Sequence, residues 1–308
     1  MSVALFTHPS ALAHDTWPEH PERAERIRAV LRALEAPEFS GLLRETAPQA
    51  TIAQLTAVHD PDYVDAILAM PKDRITAIDD DTVFGPGTLE AALHAAGGAC
   101  AAVDAVFEGW ADAAFVVMRP PGHHAEPDRA MGFCFFNNAA IAALHARARW
   151  GITRVAVADF DVHHGNGTQQ IFSNDPALFY ASSHQSGCFP GTGQGSEHGL
   201  ANNVVNVPLP PGTTGEAFRA AWETQLIPRL TAFAPELLII SAGFDAHAAD
   251  PMAQLRLREA DFAWVTSALL GMADACCPGR VVSLLEGGYD LNALAQSVAA
   301  HVRALMRL

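Results

Sequence analysis

The sequence predicts an α/β protein in which one parallel sheet is covered by helices on both faces. Three observations lead there. Apolar runs without polar alternation recur at Val3 to Thr7, Ala114 to Met118, Val155 to Ala158, Leu178 to Ala181, Leu237 to Ile240 and Val281 to Leu285. That pattern belongs to strands buried on both faces. Alanine-rich amphipathic segments alternate with these runs, as crossover helices do. Several of the runs also stop abruptly at charged or histidine-bearing loops, and the carboxyl edge of such a sheet is where open α/β folds place their ligands. No linker divides the 308 residues, so a single domain over 1–308 is expected.

Composition narrows the partners. With 34 acidic against 19 basic residues and a net charge of −15, direct binding to nucleic acid or to an anionic membrane is disfavoured. Cys100, Cys134, Cys188, Cys276 and Cys277 are odd in number and lack the paired spacing of a zinc cage or a disulfide framework. A reducing cytoplasm suits them. No leader-like segment opens the chain and no uninterrupted apolar run reaches 18 residues, so neither export nor a membrane span is expected. The oligomeric state leaves no mark in the sequence.

In chain order, the first strand runs into a Pro- and His-rich loop, His14 to Arg23, which feeds an amphipathic helix from Ala24 to Leu34. Arg26 sits on its first turns, where most arginines are solvated. A second helix is predicted from Thr88 to Phe107; Gly97 and Gly98 in its middle would each cost about 1 kcal/mol relative to Ala unless close packing on the sheet requires them. The strand ending at Met118 breaks into Arg119-Pro-Pro-Gly-His-His-Ala, a loop stiffened by two prolines that holds His123 and His124 in a fixed turn. Met131-Gly-Phe-Cys-Phe-Phe-Asn-Asn then leads to a helix that Asn137 can cap. Its aromatics suit a core, but Gly132 beside Phe133 could also let a substrate approach the backbone while the ring lines a channel.

The chemistry converges on residues 153–168. After the run Val155 to Ala158 come Asp159, Asp161 and His163 at spacing two, which in an extended chain puts three polar side chains on one side of the strand's carboxyl end. A carboxylate and an imidazole, Asp161 and His163, form a pair suited to a borderline cation such as zinc. Asp245, at the end of the strand through Ile240, is the candidate third ligand. Three protein ligands would leave a position open, as in catalytic sites. Further on, Phe189 is the one large apolar residue in a glycine-rich loop, either an anchor or part of a binding surface. Glu286-Gly-Gly-Tyr289 follows the last strand, and Asp290 caps the terminal helix.

Five motifs in order, at 119–125, 132–138, 159–169, 241–246 and 286–289, resemble the zinc-dependent histone deacetylase superfamily. The resemblance spans about His20 to Tyr289 and implies the arginase-deacetylase fold, a three-layer α/β/α arrangement around an eight-stranded parallel sheet. It implies one catalytic zinc on Asp161, His163 and Asp245, with ferrous iron the other hydrolytic ion left open. His124 would serve as general base and then acid, His123 as its electrostatic partner, and Tyr289 as hydrogen-bond donor to the substrate carbonyl. Asp159 would stand behind His123 and Asn166 behind His124; Asn rather than Asp at 166 looks like the class II branch. Gly132, Phe133, Phe189 and Met252 would line a narrow tunnel for a lysine-like stem, and Arg26 would line an internal acetate cavity. Structural potassium would fall on Asp159, Asp161, His163, Ser182 and Ser183, and a second ion on carbonyls of Phe172, Asp175 and Leu178. Ala24 and Ser183 depart from common family residues without touching the chemistry.

Three functions remain in play. A binuclear ureohydrolase of the arginase type would need a carboxylate where Gly165 stands. An acetylpolyamine hydrolase of the class II type would carry a glutamate at the place of Met252, and the apolar residue there favours an acetylated lysine side chain, or another small acylated amine, as substrate. A non-catalytic acyl-lysine binding module would need the pocket without its acid, base and oxyanion residues.

Overall fold

A computed structural model describes residues Met1–Leu308. Its ten strands are β1 (Val3–Thr7), β2 (Leu43–Thr46), β3 (Thr76–Ala77), β4 (Val83–Phe84), β5 (Ala113–Val116), β6 (Val155–Asp159), β7 (Leu178–Gln185), β8 (Val204–Leu209), β9 (Leu237–Ala242) and β10 (Val281–Leu285). Eight of them form one sheet in the order β2-β1-β5-β10-β9-β6-β7-β8, with β3 and β4 forming a separate small hairpin. Every pairing in the large sheet is parallel. The three-layer architecture and the eight-stranded sheet agree with the expectation.

The six runs read as strands are the interior of the sheet, and each is buried residue by residue apart from Thr7 at the end of β1. The two large-sheet strands absent from the sequence reading lie at its edges. β2 reads Leu-Arg-Glu-Thr and is exposed along its whole length. β8 contains Pro208, which cannot donate to a ladder and is tolerated at an edge. β2 carries no apolar signature because it lies open to solvent, whereas β8 has no exposed residue and its apolar run is broken by Asn206 and Pro208.

Helix Leu291–Met306 packs against both Ala24–Ala33 and Glu259–Cys276, and Thr88–Glu108 packs on Asn138–Trp150; these groups supply the outer layers. Asn137 and Asp290 cap their helices as expected, accepting from Ala140 N and Ala293 N. The helical stretch from Gly215 to Phe233 holds a π turn at Trp222–Leu226. Pro228, lacking an N–H, sits just after that turn, where an α-helical bond would be lost in any case.

Helix Thr88–Glu108 is long and apolar enough to cross a membrane by composition, yet 72% of its most apolar window is buried inside the protein. It is a core helix. Its glycines are explained by close approach, although the neighbour is only partly the sheet. A Cβ on Gly97 would collide with the backbone of Pro48, Gln49 and Ala50, in the loop after β2, whereas one on Gly98 would press on Ala47 and Val116.

Strand order is what gathers the motifs. β5, β10, β9 and β6 are consecutive neighbours in the middle of the sheet. In register Asp159 stands beside Ser241 and Ser182, and Leu285 beside Ala242. The four loops that follow these strands therefore leave the sheet at nearly one level, side by side.

Candidate active site

The loop after β5 is anchored first. Arg119 is fully buried and grips Glu22 with two donors, Nε to Oε1 at 2.6 Å and Nη2 to Oε2 at 2.7 Å. It also donates to the carbonyls of Ala11 and His14. Arg26, expected to be solvated from its position alone, is 0% exposed and donates to the same Glu22 at 2.9 Å. Burial opposes the Glu22 charge, but Arg119, His14 and Arg26 hold its carboxyl well below the usual range. Removing one member of such a buried set leaves an uncompensated charge, typically costing about 3–5 kcal/mol. Loop position is thereby tied to the stability of the core.

Glu286 completes the anchor from β10. Its Oε2 accepts from the N–H groups of Gly122 (2.7 Å) and His123 (3.2 Å), and Ser241 Oγ donates to Oε1 at 3.1 Å. Burial, opposed by His123 and the Gly122 N–H, raises its carboxyl to about 7. The paired histidines are thus pinned through their backbone.

His123 and His124 lie with ring centroids 4.0 Å apart, and their surroundings push them in opposite directions. His123 Nδ1 is 3.0 Å from Asp159 Oδ2, which Tyr180 Oη also donates to at 3.0 Å. Burial disfavours charge on His123, but Asp159, Asp161 and Glu286 overcome it and raise the imidazole to about 10. His124 Nδ1 is 2.8 Å from Asn166 Oδ1, a neutral acceptor. Burial and then the charges of His123 and His163 carry His124 well below its ordinary value. A donor at Nδ1 leaves the lone pair of neutral His124 on Nε2.

Asp161, His163 and Asp245 are all buried and offer ligand atoms within 4.8 Å of one another. His163 Nδ1 is 3.2 Å from both Asp161 Oδ1 and Asp245 Oδ2. The carboxylates are oriented by main-chain donors: Gly287 N and His163 N to Asp161 at 2.8 and 2.9 Å, and Val162 N to Asp245 at 2.9 Å. Burial, reinforced by the Asp161 charge, raises Asp245 to about 7. Two like-charged carboxylates facing each other in a dry site are an arrangement a cation relieves. Glycines make the space, since a Cβ on Gly243 would strike the Asp161 carboxylate and one on Gly287 would strike those of Asp245 and Asp161. At Gly165, where a binuclear arginase-type centre needs another carboxylate, a Cβ would already lie 2.5 Å from Asp159 Oδ2 and 2.7 Å from Tyr180 Oη.

Above this set, one pocket is lined by His123, His124, His163, Tyr289 and the expected wall residues Gly132, Phe133, Phe189 and Met252. Gly132 and Phe133 are both left-handed, with φ of 56° and 69°; the second value is unusual for a bulky residue and marks a backbone constrained at a functional position. A Cβ on Gly132 would lie 2.5 Å from His124 Cδ2 and 3.0 Å from Phe189 Cε1, so the glycine keeps the pocket open. Phe189 is 40% exposed with its ring edge-on to His124 at 5.1 Å. It is a wall rather than a core anchor.

Tyr289 faces Phe133 at 5.9 Å, and its backbone N–H donates to Asp250 Oδ2 at 2.7 Å. Burial raises its phenol well above the ordinary value, and the hydroxyl makes no hydrogen bond within the chain. The Arg26 guanidinium sits 4.9 Å from the Tyr289 ring centroid and donates to Gly288 O at 2.6 Å and Glu286 O at 2.5 Å. With donors directed to Glu22 and these carbonyls, Arg26 supports the tyrosine turn.

The residues expected at a first potassium position are Asp159, Asp161, His163, Ser182 and Ser183. There the main-chain oxygens of Asp161 and His163 accept no hydrogen bond, while Ser182 Oγ lies 2.9 Å from His184 Nδ1 and Ser183 Oγ accepts from Trp222 Nε1 at 3.0 Å. At the second, the carbonyls of Phe172, Asp175 and Leu178 do converge, but each accepts from Asn203 Nδ2.

Several contributors escaped the sequence reading. Glu22, Glu286 and Asp250 act through backbone and ion-pair contacts between residues far apart in the chain, for which spacing offers no signal. Asp81, at the pocket mouth, lies in the run Asp79-Asp-Asp, which was visible as an acidic turn. Asn203 lies in the loop just before the unread edge strand β8.

A buried acid–imidazole set, a neutral histidine and a tyrosine hydroxyl around one pocket at the carboxyl edge of a parallel sheet are the groups hydrolytic chemistry uses. A histone deacetylase domain profile matches residues 20–305. Over 92% of this chain and 74% of the relative, the sequence is 40% identical to a histone deacetylase-like amidohydrolase of Pseudomonas aeruginosa. It is 38% identical to chloroplastic histone deacetylase 14 of Arabidopsis thaliana over 98% of this chain and 76% of the relative. A probable deacetylase of Archaeoglobus fulgidus is 37% identical over 95% and 82%. The crystal structure of the HDA15 HD domain superposes with a TM-score of 0.93 at 34% identity, covering 99% of this chain and 88% of that one. The chain belongs to the histone deacetylase family.

Proposed function

We propose that the protein is a zinc-dependent amidohydrolase that removes acetyl or other acyl groups from lysine-like N-acyl amines. The observation that carries this reading is the convergence of Asp161, His163 and Asp245 beneath a neutral His124 and an unpartnered Tyr289 hydroxyl. Two carboxylates and one imidazole are donors that zinc accepts, and three protein ligands leave it an open position. These residues would hold the ion. When bound, zinc polarises the acyl carbonyl and brings the pKa of a water toward about 7.

The chain's own groups account for the proton movements. His124 Nε2 takes a proton from the attacking water as the new C–O bond forms, then delivers it to the amine nitrogen as the C–N bond breaks. The products are a carboxylate and a free amine. His123, held charged by Asp159, adds positive potential beside the developing oxyanion, and the Tyr289 hydroxyl donates to that oxygen. Asn166 is a weaker acceptor than a carboxylate, which keeps His124 neutral and able to begin as base.

Phe133 and Phe189 form the walls for an alkyl stem. Burying four methylenes at about 0.8 kcal/mol each gives about 3 kcal/mol of chain-length selection. Met252 on the pocket favours an acyl-lysine side chain over an acylpolyamine, since it offers no charge to a second ammonium group. The deciding experiment is kinetics of the zinc-loaded enzyme on acetyl-lysine peptides, longer acyl-lysines and acetylpolyamines. Acetyl-lysine peptides are expected to be preferred, with Tyr289→Phe lowering turnover by about 10²- to 10³-fold. Much more efficient turnover of acetylspermidine would overturn the substrate assignment. Inactivity on every acylated amine would overturn catalysis and favour a binding module.

A further inference from the structure

We infer that the side-chain amide of Asn203 occupies the position that family resemblance assigns to a second potassium ion, so that this chain replaces that cation with a neutral hydrogen-bond donor. Asn203 Nδ2 lies 2.9 Å from Phe172 O, 3.1 Å from Asp175 O and 2.9 Å from Leu178 O. Those are the three carbonyls expected to bind the ion. Carbonyl dipoles aimed at one point repel unless something positive stands between them; a potassium ion can do this, and so can an N–H donor at nearly the same separation.

The orientation of the amide follows from its other end. Asn203 Oδ1 accepts from Ala201 N at 3.2 Å, so the NH₂ must face the carbonyls; a flipped amide would set oxygen against three oxygens and nitrogen against a donor. The side chain is only 2% exposed, and its backbone is fixed by Tyr180 N donating to Asn203 O at 2.9 Å. Gly199 lets the preceding loop close over it, because a Cβ there would lie 2.5 Å from Asn203 Oδ1. Phe172 O and Asp175 O also accept from Asp175 N (3.1 Å) and Leu178 N (3.0 Å) within the turn between helix Asn166–Phe172 and β7, and the two amide hydrogens, shared among three acceptors, fill the space the carbonyls still face. That turn leads into the strand bearing Ser182 and Ser183. At the first potassium position, by contrast, no side-chain donor from the chain meets the free carbonyls of Asp161 and His163.

Anomalous scattering from crystals equilibrated with rubidium chloride tests this independently of turnover, so its failure is separable from failure of the deacylase reading. Wild-type crystals are expected to show no rubidium among the oxygens of Phe172, Asp175 and Leu178. Asn203→Ala is expected to show a peak there, and to gain in melting temperature when choline chloride is exchanged for potassium chloride by more than wild type does. A wild-type peak at those carbonyls with the amide displaced would overturn the inference. So would the absence of any peak in Asn203→Ala, because the carbonyls would then not be a cation position at all. Should Asn203→Ala fail to fold, Asn203→Ser, which retains a small polar group, takes its place.

Discussion

Two clusters in this protein bring three metal-capable side chains within 4.8 Å, Asp161–His163–Asp245 and His8–Glu90–His94, yet they differ in almost everything that makes a site. The first is wholly buried, its carboxylates are oriented by three main-chain N–H groups in all, and glycines clear the space around it. In the second, Glu90 is exposed and the two imidazoles stack face to face, 3.5 Å between centroids and 10° from parallel. Stacked rings hold their nitrogen lone pairs in parallel planes, so the two cannot meet at one point between them. Moreover, His8 Nδ1 accepts from Ser10 N, which leaves the hydrogen of neutral His8 on Nε2. Proximity is common to both, but convergence of lone pairs belongs to the first alone. Burial makes the difference, because desolvated carboxylates demand a partner and solvated ones do not.

The largest effect expected of that contrast follows Asp245→Ala. Loss of one carboxylate from the buried set should abolish stoichiometric zinc and lower kcat/KM by about 10³-fold or more, since metal polarisation supplies several kcal/mol to the transition state. Metal analysis beside kinetics checks it. Full zinc content in the variant would remove Asp245 from the ligand set and end the contrast.

An intermediate effect concerns a buried imidazole in neither cluster and separates acid sensitivity of the core from that of the metal pocket. His59 accepts from Asn137 N at Nε2 (2.9 Å) and faces Glu126 O from Nδ1 at 3.0 Å, so it is wired as the neutral tautomer. Burial lowers it to about 4, against the pull of those carbonyls. The unfolded chain therefore binds the proton first on acidification. The contribution of His59 is complete above about pH 6.5 and is lost as pH falls toward its folded value, at up to about 1.4 kcal/mol per pH unit. His59→Asn, which destabilises at pH 7.5, should close part of its gap to wild type by pH 5 in denaturant titrations. A pH-independent gap would show that the folded His59 is not held neutral.

The smallest effect belongs to the second cluster. His8→Gln and His94→Gln should leave zinc at one per chain and kcat/KM within about twofold, because neither imidazole lines the pocket or touches the Asp161 set. A second zinc in wild type that disappears in either variant would make the clusters alike.

Much of the site was legible because its chemistry is local. Asp161 and His163 are two residues apart, His123 and His124 are adjacent, and each lies just beyond an apolar run whose direction is unambiguous. Arg26 shows the opposite case: position on a helix suggested a solvated charge, and only the folded contacts with Glu22, Glu286 and Gly288 reveal a buried support for Tyr289. The edge strands were missed for two reasons: β2 is exposed and carries no apolar pattern, and the apolar residues of β8 are interrupted by Asn206 and Pro208.

By itself, then, the sequence determined the layer architecture, the interior strands and the residue types at the carboxyl edge, because burial periodicity and short-range spacing are written along the chain. Tertiary structure alone decided that β10 lies between β5 and β9, that Glu286 pins the histidine loop, and that an asparagine amide fills a ring of carbonyls. These depend on contacts between residues tens to hundreds of positions apart, which no local pattern encodes and only the packed sheet can bring about.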